Sequence, residues 1–195
     1  DVSESAGIYG SAIGYGLGVT VADLNGDSWP DLYVSNDFFE RDYLYLNQRN
    51  GTFKEMLPEL MPEISLGSMG ADIADLDNDG YPDIFVTEML PEDWARVKTK
   101  TPFEEWDKFQ ANQKSGYHRQ FTRNTLQRNL GKSPKDSLPI FSEVSRMTGM
   151  EATDWSWGAL IFDADLDGLK DIFVANGIVK DLTDFDFVDF YLNNQ

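Results

Sequence analysis

The chain has 195 residues, of which 34 are acidic and 16 are basic, with one His and no Cys, and its formal net charge is −18. This charge excludes nucleic acid as a partner, because phosphate binding needs clustered positive charge, and the lack of Cys excludes disulfides, thiolate zinc sites and Cys nucleophiles. Hydrophobic residues at 41% and aromatics at 13% predict a folded core, and no apolar run approaches the roughly 18 residues that span a membrane.

Taken in chain order, short runs of β-branched and aromatic residues predict strands. In the first part of the chain the runs are 19–21, 32–34, 43–46 and 53–55, with an Asn-Gly turn before the last. Later runs are 84–86, 125–129, 140–144, 160–162, 172–174 and 189–195. Residues 1–7 resemble residues 143–149, so the chain is predicted to begin inside a fourth strand. Units of four strands are the blades of a β-propeller.

A stretch at about 89–123 interrupts this pattern between the second and third strands of the second unit. The capping box Thr101-Pro-Phe-Glu104 predicts a helix that runs to about Ser115, and residues 93–97 predict a shorter helix before it. Much of the positive charge lies between Arg96 and Lys135. This basic and aromatic insertion is therefore the candidate surface for a partner or ligand; the alternative is that its aromatics only pack it onto the sheet.

The sequence also repeats: residues 18–34, 70–86 and 158–174 superimpose without gaps. They share the pattern D-x-[DN]-x-D-[GS]-x-x-D, with a Gly five residues before the first Asp and a Val eleven residues after it. Eleven of the 34 acids lie in these three nine-residue windows. Carboxylates at alternate positions of a tight turn repel one another unless a cation neutralises them, and oxygen ligands at positions 1, 3 and 5 are how a loop wraps calcium.

The pattern therefore predicts one Ca²⁺ in each loop, about three in all, held by side chains at positions 1, 3, 5 and 9 and by the carbonyl of position 7. A Gly at position 6 allows a sharp turn with positive φ. Magnesium is less favoured, because it keeps several waters and demands strict octahedral geometry, and zinc prefers N and S ligands. The candidate ligands are Asp23, Asn25, Asp27, Trp29 and Asp31, then Asp75, Asp77, Asp79, Tyr81 and Asp83, then Asp163, Asp165, Asp167, Leu169 and Asp171.

Two other interpretations compete with calcium loops of this kind. An EF-hand needs a Glu at position 12 and flanking helices, whereas position 12 here is Val34, Val86 or Val174 and the flanks predict strands, so the EF-hand is excluded. Acidic hairpin turns without metal stay an alternative, because Asp, Asn and Gly are common in turns. The first loop is the weakest candidate, since Asn25 removes one negative charge and Ser28 replaces the Gly.

Together with the closing strands at 44–47 and 50–53, the three segments resemble the FG-GAP/VCBS repeat of integrin α-subunit propellers and of many secreted bacterial proteins. The long second unit is similar to bacterial repeat proteins of the ASPIC type. The resemblance implies calcium in the loops, an extracellular or cell-surface setting and about seven blades. Because only three units are found, at about 1–51, 52–138 and 139–195, we expect a fragment of a larger propeller or one part of an assembly.

The sequence thus predicts a mainly β, calcium-stabilised, non-catalytic module that binds a protein or a glycan at the cell surface, with the bacterial outer membrane as the favoured setting. Two rival functions stay open: the propeller part of a polysaccharide lyase or hydrolase, and a structural subunit of an outer-membrane complex. Paired carboxylates suit glycoside hydrolysis, but the ordered Asp clusters are assigned to metal and no further pair stands out. His118 is assigned to a surface or packing role. Asp181, Asp184, Asp186 and Asp189 are assigned to a solvated acidic loop that leads into a strand, with an extra cation site as the alternative.

Overall fold

The computed structural model describes residues 1–10, 14–38, 40–100, 106–177 and 184–193. Most of the predicted strands are confirmed in these ranges. The strands are β1 (Gly16–Ala22), β2 (Asp31–Asn36), β3 (Tyr43–Asn47), β4 (Phe53–Glu55), β5 (Ile64–Ser65), β6 (Gly70–Ala74), β7 (Asp83–Thr87), β8 (Gln120–Phe121), β9 (Thr125–Lys132), β10 (Pro139–Glu143), β11 (Ser156–Phe162) and β12 (Asp171–Asn176). The helices are α1 (Ser3–Ala6), α2 (Leu57–Leu60), α3 (Trp94–Lys100), α4 (Trp106–Lys114), α5 (Ser145–Thr148) and α6 (Phe185–Asn193).

The strands form three antiparallel sheets and one short parallel pair. Sheet 1 has the order β1-β2-β3-β4, sheet 2 has the order β6-β7-β9-β10, and sheet 3 consists of β11 and β12. The parallel pair is β5 with β8. Sheets 1 and 2 confirm the predicted four-stranded units, and the mainly β architecture is consistent with a fragment of a β-propeller. Within the described ranges the sheets do not close into a ring.

Sheet 2 packs against sheet 1 on one face and against sheet 3 on the other. This explains why all five residues of its strand β7 are buried. Successive side chains of a strand point to opposite faces. Ile84 and Val86 therefore join a core shared with Tyr33 and Leu44 of sheet 1. Phe85, between them, packs on the other side with Leu126 of sheet 2 and Ile161 of sheet 3. Two cores between three sheets hold the molecule together.

The first strands of the three sheets lie next to one another, with β6 between β1 and β11. The Thr20 hydroxyl of β1 donates to the Ala71 carbonyl of β6 at 2.9 Å. The Ile161 backbone N–H of β11 donates to the Asp72 carboxylate of β6 at 2.6 Å. These bonds satisfy backbone groups at the free edges of the first strands, where no neighbouring strand pairs with them. Sheets that stack in this order, with their first strands side by side, have the arrangement of consecutive propeller blades.

Equivalent positions differ in exposure according to whether a sheet covers them. The aromatic residue two places after the last loop aspartate faces the following sheet: Tyr33 is 0% exposed and Phe85 is 1% exposed, but Phe173 is 55% exposed. The residue two places before the first loop aspartate faces the preceding sheet, and here Ile161 is 8% exposed whereas Val21 is 57% exposed. The outer faces of sheets 1 and 3 are thus apolar at positions that are buried between sheets.

Two sequence-based predictions about strands are wrong. The segment predicted as a strand from residue 189 lies in helix α6, which begins where Asp184 accepts the Phe187 backbone N–H at 3.1 Å. Of the predicted acidic loop, Asp186 and Asp189 therefore lie in α6 and Asp184 directly precedes it, while residues 181–183 and 194–195 lie outside the described ranges. Helix α6 follows two-stranded sheet 3, in place of the third strand that sheets 1 and 2 contain.

The start of the chain is a helical turn rather than most of a strand. Helix α1 ends at Gly7, whose φ is 74°, and α5 ends at Gly149 with the same φ of 74°. Asp1 accepts the Ser3 N–H at 3.0 Å, as Glu143 accepts the Ser145 N–H at 2.8 Å. The predicted correspondence between residues 1–7 and 143–149 is thus present, but the shared structure is the turn that follows a fourth strand.

The boundaries of the sheets differ slightly from the predicted units. Sheet 1 runs from Gly16 to Glu55 and sheet 2 from Gly70 to Glu143. The predicted divisions at 51/52 and 138/139 fall between the third and fourth strands, so they separate β4 and β10 from the sheets in which these strands pair. The assignment of 1–51, 52–138 and 139–195 as repeat units stays a prediction.

The insertion lies between β7 and β9, which are neighbours in sheet 2, as predicted. It contains α3, α4 and the short strand β8. The predicted capping box at 101–104 lies outside the described ranges, and the described part of the predicted helix is α4. In the described residues, no helix is long and apolar enough to cross a membrane.

Candidate metal centre

The repeated motifs form loops that each join the first strand of a sheet to its second. We call them loop 1 (residues 23–31), loop 2 (75–83) and loop 3 (163–171), and we number their positions from 1 to 9. Loop 1 connects β1 to β2, loop 2 connects β6 to β7, and loop 3 connects β11 to β12. The paired strands fix the two ends of each loop, so the first and last aspartates lie close together.

The three loops share one set of hydrogen bonds from backbone N–H groups to carboxylates. The position-1 carboxylate accepts from positions 5 and 6, the position-5 carboxylate from position 7, and the position-9 carboxylate from position 2. In loop 2, for example, the N–H groups of Asp79 and Gly80 donate to Asp75 at 3.0 and 2.9 Å. The sequence repeat is therefore also a repeat of conformation.

Two positions of each loop have a left-handed backbone. At position 6, the expected positive φ is present: 68° at Ser28, 90° at Gly80 and 91° at Gly168. Position 4 was not anticipated, and its φ is 63° at Gly26, 59° at Asn78 and 64° at Leu166. Gly and Asn adopt this conformation readily, whereas a Leu pays roughly 1–2 kcal/mol for it. Leu166 is 86% exposed, so packing does not offset that strain.

Carboxylates converge in loops 2 and 3. In loop 2, oxygens of Asp75, Asp77 and Asp79 all lie within 4.8 Å of one another, and in loop 3 the same holds for Asp163, Asp165 and Asp171. Like charges this close repel strongly. In loop 1 the described carboxylates do not form such a group, because position 3 is Asn25. Three of the four side-chain candidates thus converge in each of loops 2 and 3, whereas Asp83 at position 9 of loop 2 and Asp167 at position 5 of loop 3 are not part of these groups.

Loop 1 has an unusual polar atom instead. The side-chain oxygen of Asn25, at position 3, is buried and has no hydrogen-bond partner among the described residues. A buried acceptor without a partner costs about 1–3 kcal/mol. Arg49 contacts the carboxylate of Asp27, at position 5 of the same loop, at 2.9 Å. Although partial burial raises the pKa of Asp27, the Trp29 N–H and Arg49 outweigh it and lower that pKa.

The aspartate at position 9 has a structural role besides the one predicted. Asp31 and Asp83 are 0% and 2% exposed. Asp31 accepts the N–H of Leu24 at 2.9 Å and that of Asn47 at 2.8 Å, which ties the loop to β3. Burial raises the pKa of Asp31 to about 6 and raises that of Asp83, against the effect of these bonds. Asp171 in loop 3 is exposed, and within the described ranges it accepts one N–H, that of Ala164, at 2.9 Å.

Sequence reasoning missed one residue that joins two loops. Asn129 in β9 is 0% exposed, and its N–H donates to Asp83 at 2.8 Å. Its side-chain amide donates to the Pro82 carbonyl at 3.2 Å and to the Leu24 carbonyl of loop 1 at 3.1 Å. Within sheet 1, Asn47 makes the corresponding bonds to the Asp31 carboxylate and the Pro30 carbonyl. The sequence does contain a signal for this role, because an Asn occurs at the corresponding position of both third strands, β3 and β9. A further bond joins loops 2 and 3, from the Asn78 side chain to the Gly168 carbonyl at 3.0 Å.

The position-7 residues place their side chains at the surface. Trp29, Tyr81 and Leu169 are 45%, 38% and 60% exposed. Their backbone N–H groups are held by the position-5 carboxylates at 2.8–2.9 Å. The bond fixes the peptide at this position. The predicted role of the three carbonyls as ligands stays a prediction.

The insertion carries exposed aromatics, but its basic residues are largely paired within the chain. Trp94 is 68% exposed, and Trp106, 70% exposed, stacks on Phe109, which stacks on Phe121. Ion pairs join Arg96 to Asp154, Lys100 to Asp184, Arg119 to Glu63, and Arg123 to Glu63 and Glu143. His118 is half-buried against the Met61 carbonyl, in keeping with a packing role, and burial lowers its pKa.

A carboxylate outside the loops is also fully buried. Asp42, just before β3, accepts the Asn36 N–H at 2.8 Å and the hydroxyls of Tyr33 and Ser68 at 2.6 and 2.7 Å. Burial raises the pKa of Asp42 to about 6, although these donors and Arg41 lower it. The equivalent residue in sheet 2 is Asn124, whose side-chain oxygen accepts the Glu88 N–H at 2.7 Å.

Asp42 should therefore make the protein more stable as the pH falls from 7 to 5. Because the folded pKa lies near 6, above the ordinary value near 4, the folded state binds a proton that the unfolded state does not. This contribution is complete below about pH 4 and is lost as the pH rises through about 6. Urea unfolding in excess calcium should show a gain of about 1 kcal/mol from this group. Asp42→Asn, which copies Asn124, should remove that gain; an identical pH profile in the variant would contradict the assignment.

The fold and the loops together define a class: a propeller-type repeat protein with acidic hairpin loops. The comparison with known families agrees, since residues 23–86 match the FG-GAP-like repeat. This range begins at the first aspartate of loop 1 and includes all of loop 2. Residues 23–86 therefore contain the FG-GAP-like repeat, as the sequence pattern predicted. The narrower resemblance to bacterial ASPIC-type proteins stays a prediction.

Similar curated proteins are integrin α-subunits. Human integrin alpha-7 is 42% identical over 84 residues, which cover 37% of this chain and 7% of the integrin. Chicken integrin alpha-6 is 34% identical over 88 residues, with 40% of this chain and 8% of the integrin covered. Mouse integrin alpha-3 is 31% identical over 99 residues, with 44% and 9% covered. The chain thus spans less than a tenth of the length of these relatives.

Proposed function

We propose that the chain is a calcium-binding repeat module of the cell surface that acts in binding and not in catalysis. The observation that supports calcium best is the threefold recurrence of one loop conformation, with aspartates that converge in loops 2 and 3. Oxygen-only donors suit a hard cation such as Ca²⁺. The buried oxygen of Asn25, which has no hydrogen-bond partner in the part of the chain that the structure describes, gives loop 1 an available acceptor at a predicted ligand position.

The residues of the chain fit such an ion. The side chains at positions 1, 3, 5 and 9 and the carbonyls of Trp29, Tyr81 and Leu169 would hold it. Calcium would supply positive charge that offsets the repulsion between the carboxylates. The shared hydrogen bonds already hold the loops in one conformation. Calcium binding would therefore cost little further backbone entropy.

The setting and the partner follow from the resemblance to FG-GAP repeats. We place the module outside the cell, where calcium is abundant, with a protein as the favoured partner and a glycan as the second choice. The bacterial outer membrane is the particular surface that we propose. The exposed tryptophans of the 89–123 insertion, Trp94 and Trp106, are the candidate contact residues.

Calorimetric titration with CaCl₂ tests the proposal. The wild-type chain should bind about three ions with Kd of roughly 10⁻⁴–10⁻³ M. Asp79→Ala and Asp167→Ala should each abolish one site, and Asp27→Ala in loop 1 should have the smallest effect, because Asn25 already leaves that loop with fewer charges. Asp107→Ala removes an exposed aspartate of α4, and as a matched control it should leave three sites. Absence of binding heat, or an equal loss in the control, would contradict a calcium role.

A further inference from the structure

Two arginines contact the candidate calcium loops, and they reach different loops from different places. Arg128 in β9 pairs with Asp77, and its guanidinium lies 3.8 Å from Asp79, so it spans positions 3 and 5 of loop 2. Arg49, in the turn after β3, pairs with Asp27 at position 5 of loop 1 through two nitrogens, at 2.9 and 3.0 Å. Both side chains are about half exposed, at 46% and 57%.

The two arginines are not equivalents in the repeat. Asn47 and Asn129 are equivalent, because each donates its N–H to a position-9 aspartate and its amide to the preceding proline carbonyl. Arg49 lies two residues after Asn47, whereas Arg128 lies directly before Asn129. Arginines at two non-equivalent positions thus place a guanidinium beside the same part of two loops. The repulsion among the closely spaced carboxylates, which a positive charge reduces, explains this.

Loop 3 differs from the other two. Like loop 2, it has aspartates at all four side-chain positions, and oxygens of Asp163, Asp165 and Asp171 converge within 4.8 Å. In the described part of the chain, no Arg or Lys forms an ion pair with these aspartates. Lys170 lies inside the loop sequence without such a pair. Loop 3 therefore has as many carboxylates as loop 2, but among the described residues it has no arginine or lysine to compensate their charge.

We propose that Arg49 and Arg128 are affinity-determining residues that act as internal counter-ions for loops 1 and 2. This inference rests on the proposed calcium function. A guanidinium a few ångströms from the ligands repels a divalent cation and shares the oxygens that would bind it. The same charge holds the loop aspartates together when no cation is bound. The expected order of calcium affinity is therefore loop 3, then loop 2, then loop 1, which also lacks a charge at Asn25.

The test is Arg128→Gln, which removes the charge and keeps a polar side chain. Calcium affinity can be followed loop by loop from the backbone amide signals of Ser28, Gly80 and Gly168 in an NMR titration with CaCl₂. The variant should bind calcium at loop 2 about three- to tenfold more tightly. Its melting temperature in EDTA should fall, because the aspartates lose their counter-ion. A merely structural arginine would lower stability without raising affinity.

Two further variants keep the test decisive. Arg49→Gln should tighten binding at loop 1 alone, and Arg146→Gln, at an exposed position of α5, should leave all three affinities unchanged. Unchanged or weaker affinity at loop 2 in Arg128→Gln, or an equal gain in Arg146→Gln, would overturn the inference while leaving calcium binding intact. If the three wild-type amides do not respond to calcium at all, the proposed function itself fails.

Discussion

Chelation of calcium with EDTA should lower the melting temperature of the chain by about 10–20 °C. At 2 mM calcium and a Kd of about 0.1 mM, each occupied loop adds about 1.8 kcal/mol to the free energy of unfolding. Three loops then contribute about 5 kcal/mol, and a chain of this size shifts by about 2–4 °C for each kcal/mol. The measurement is thermal unfolding followed by circular dichroism, with and without the chelator.

Excess CaCl₂ should restore the original melting temperature after chelation. Sodium chloride at the same ionic strength is the necessary control, because the net charge of −18 makes general screening stabilising as well. MgCl₂ should restore less than CaCl₂, since magnesium suits this donor set poorly. A melting curve that EDTA leaves unchanged, or that sodium chloride restores as fully as calcium does, would count against metal-stabilised loops.

The second large effect concerns the packing between sheets. Phe85→Ala should destabilise the chain by about 3–5 kcal/mol, because it empties the core between sheets 2 and 3. Phe85 is 1% exposed, whereas Phe173, its equivalent in sheet 3, is 55% exposed. Phe173→Ala should therefore cost less than about 1 kcal/mol. Urea unfolding of the two variants in excess calcium measures both free energies.

This pair of variants tests whether sheets stack in one repeated way. The same chemical change at the same repeat position should be costly only where another sheet covers it. Similar losses at both positions would contradict the stacking described here. The exposed apolar faces, which carry Val21 on sheet 1 and Phe173 on sheet 3, are where we propose that further blades pack. In a longer protein that contains them, Phe173→Ala should become as costly as Phe85→Ala.

The repeated parts of the structure could be predicted from the sequence because they occur three times. One acidic turn between two hydrophobic runs is ambiguous, since Asp, Asn and Gly serve many turns. Three turns with the same spacing, each followed by a Val, specify strand, loop and strand. The position-6 turn followed from Gly80 and Gly168, and the structure has the expected positive φ there. The position of the helical insertion could be predicted because the second and third motifs are farther apart in the sequence than the first and second motifs.

The missed features depend on contacts that a local pattern does not contain. Alternating Asp and Phe near the end of the chain favours a strand, yet α6 forms there, with Asp184 at its start and Lys100 of α3 paired to that aspartate at 3.1 Å. The bridging role of Asn129 needs Leu24, which lies 105 residues away. Arg128 likewise meets Asp77 only because β9 and β7 are neighbours in sheet 2.

Crystals of the chain grown in CaCl₂ would test the central claim most directly. An anomalous difference map should show three calcium peaks, one in each loop. Each peak should be surrounded by the side chains of positions 1, 3, 5 and 9 and the carbonyl of position 7. Loop 3 should show the highest occupancy at limiting calcium. A map with no peak in loops 2 and 3, where four aspartates each are available, would contradict the account.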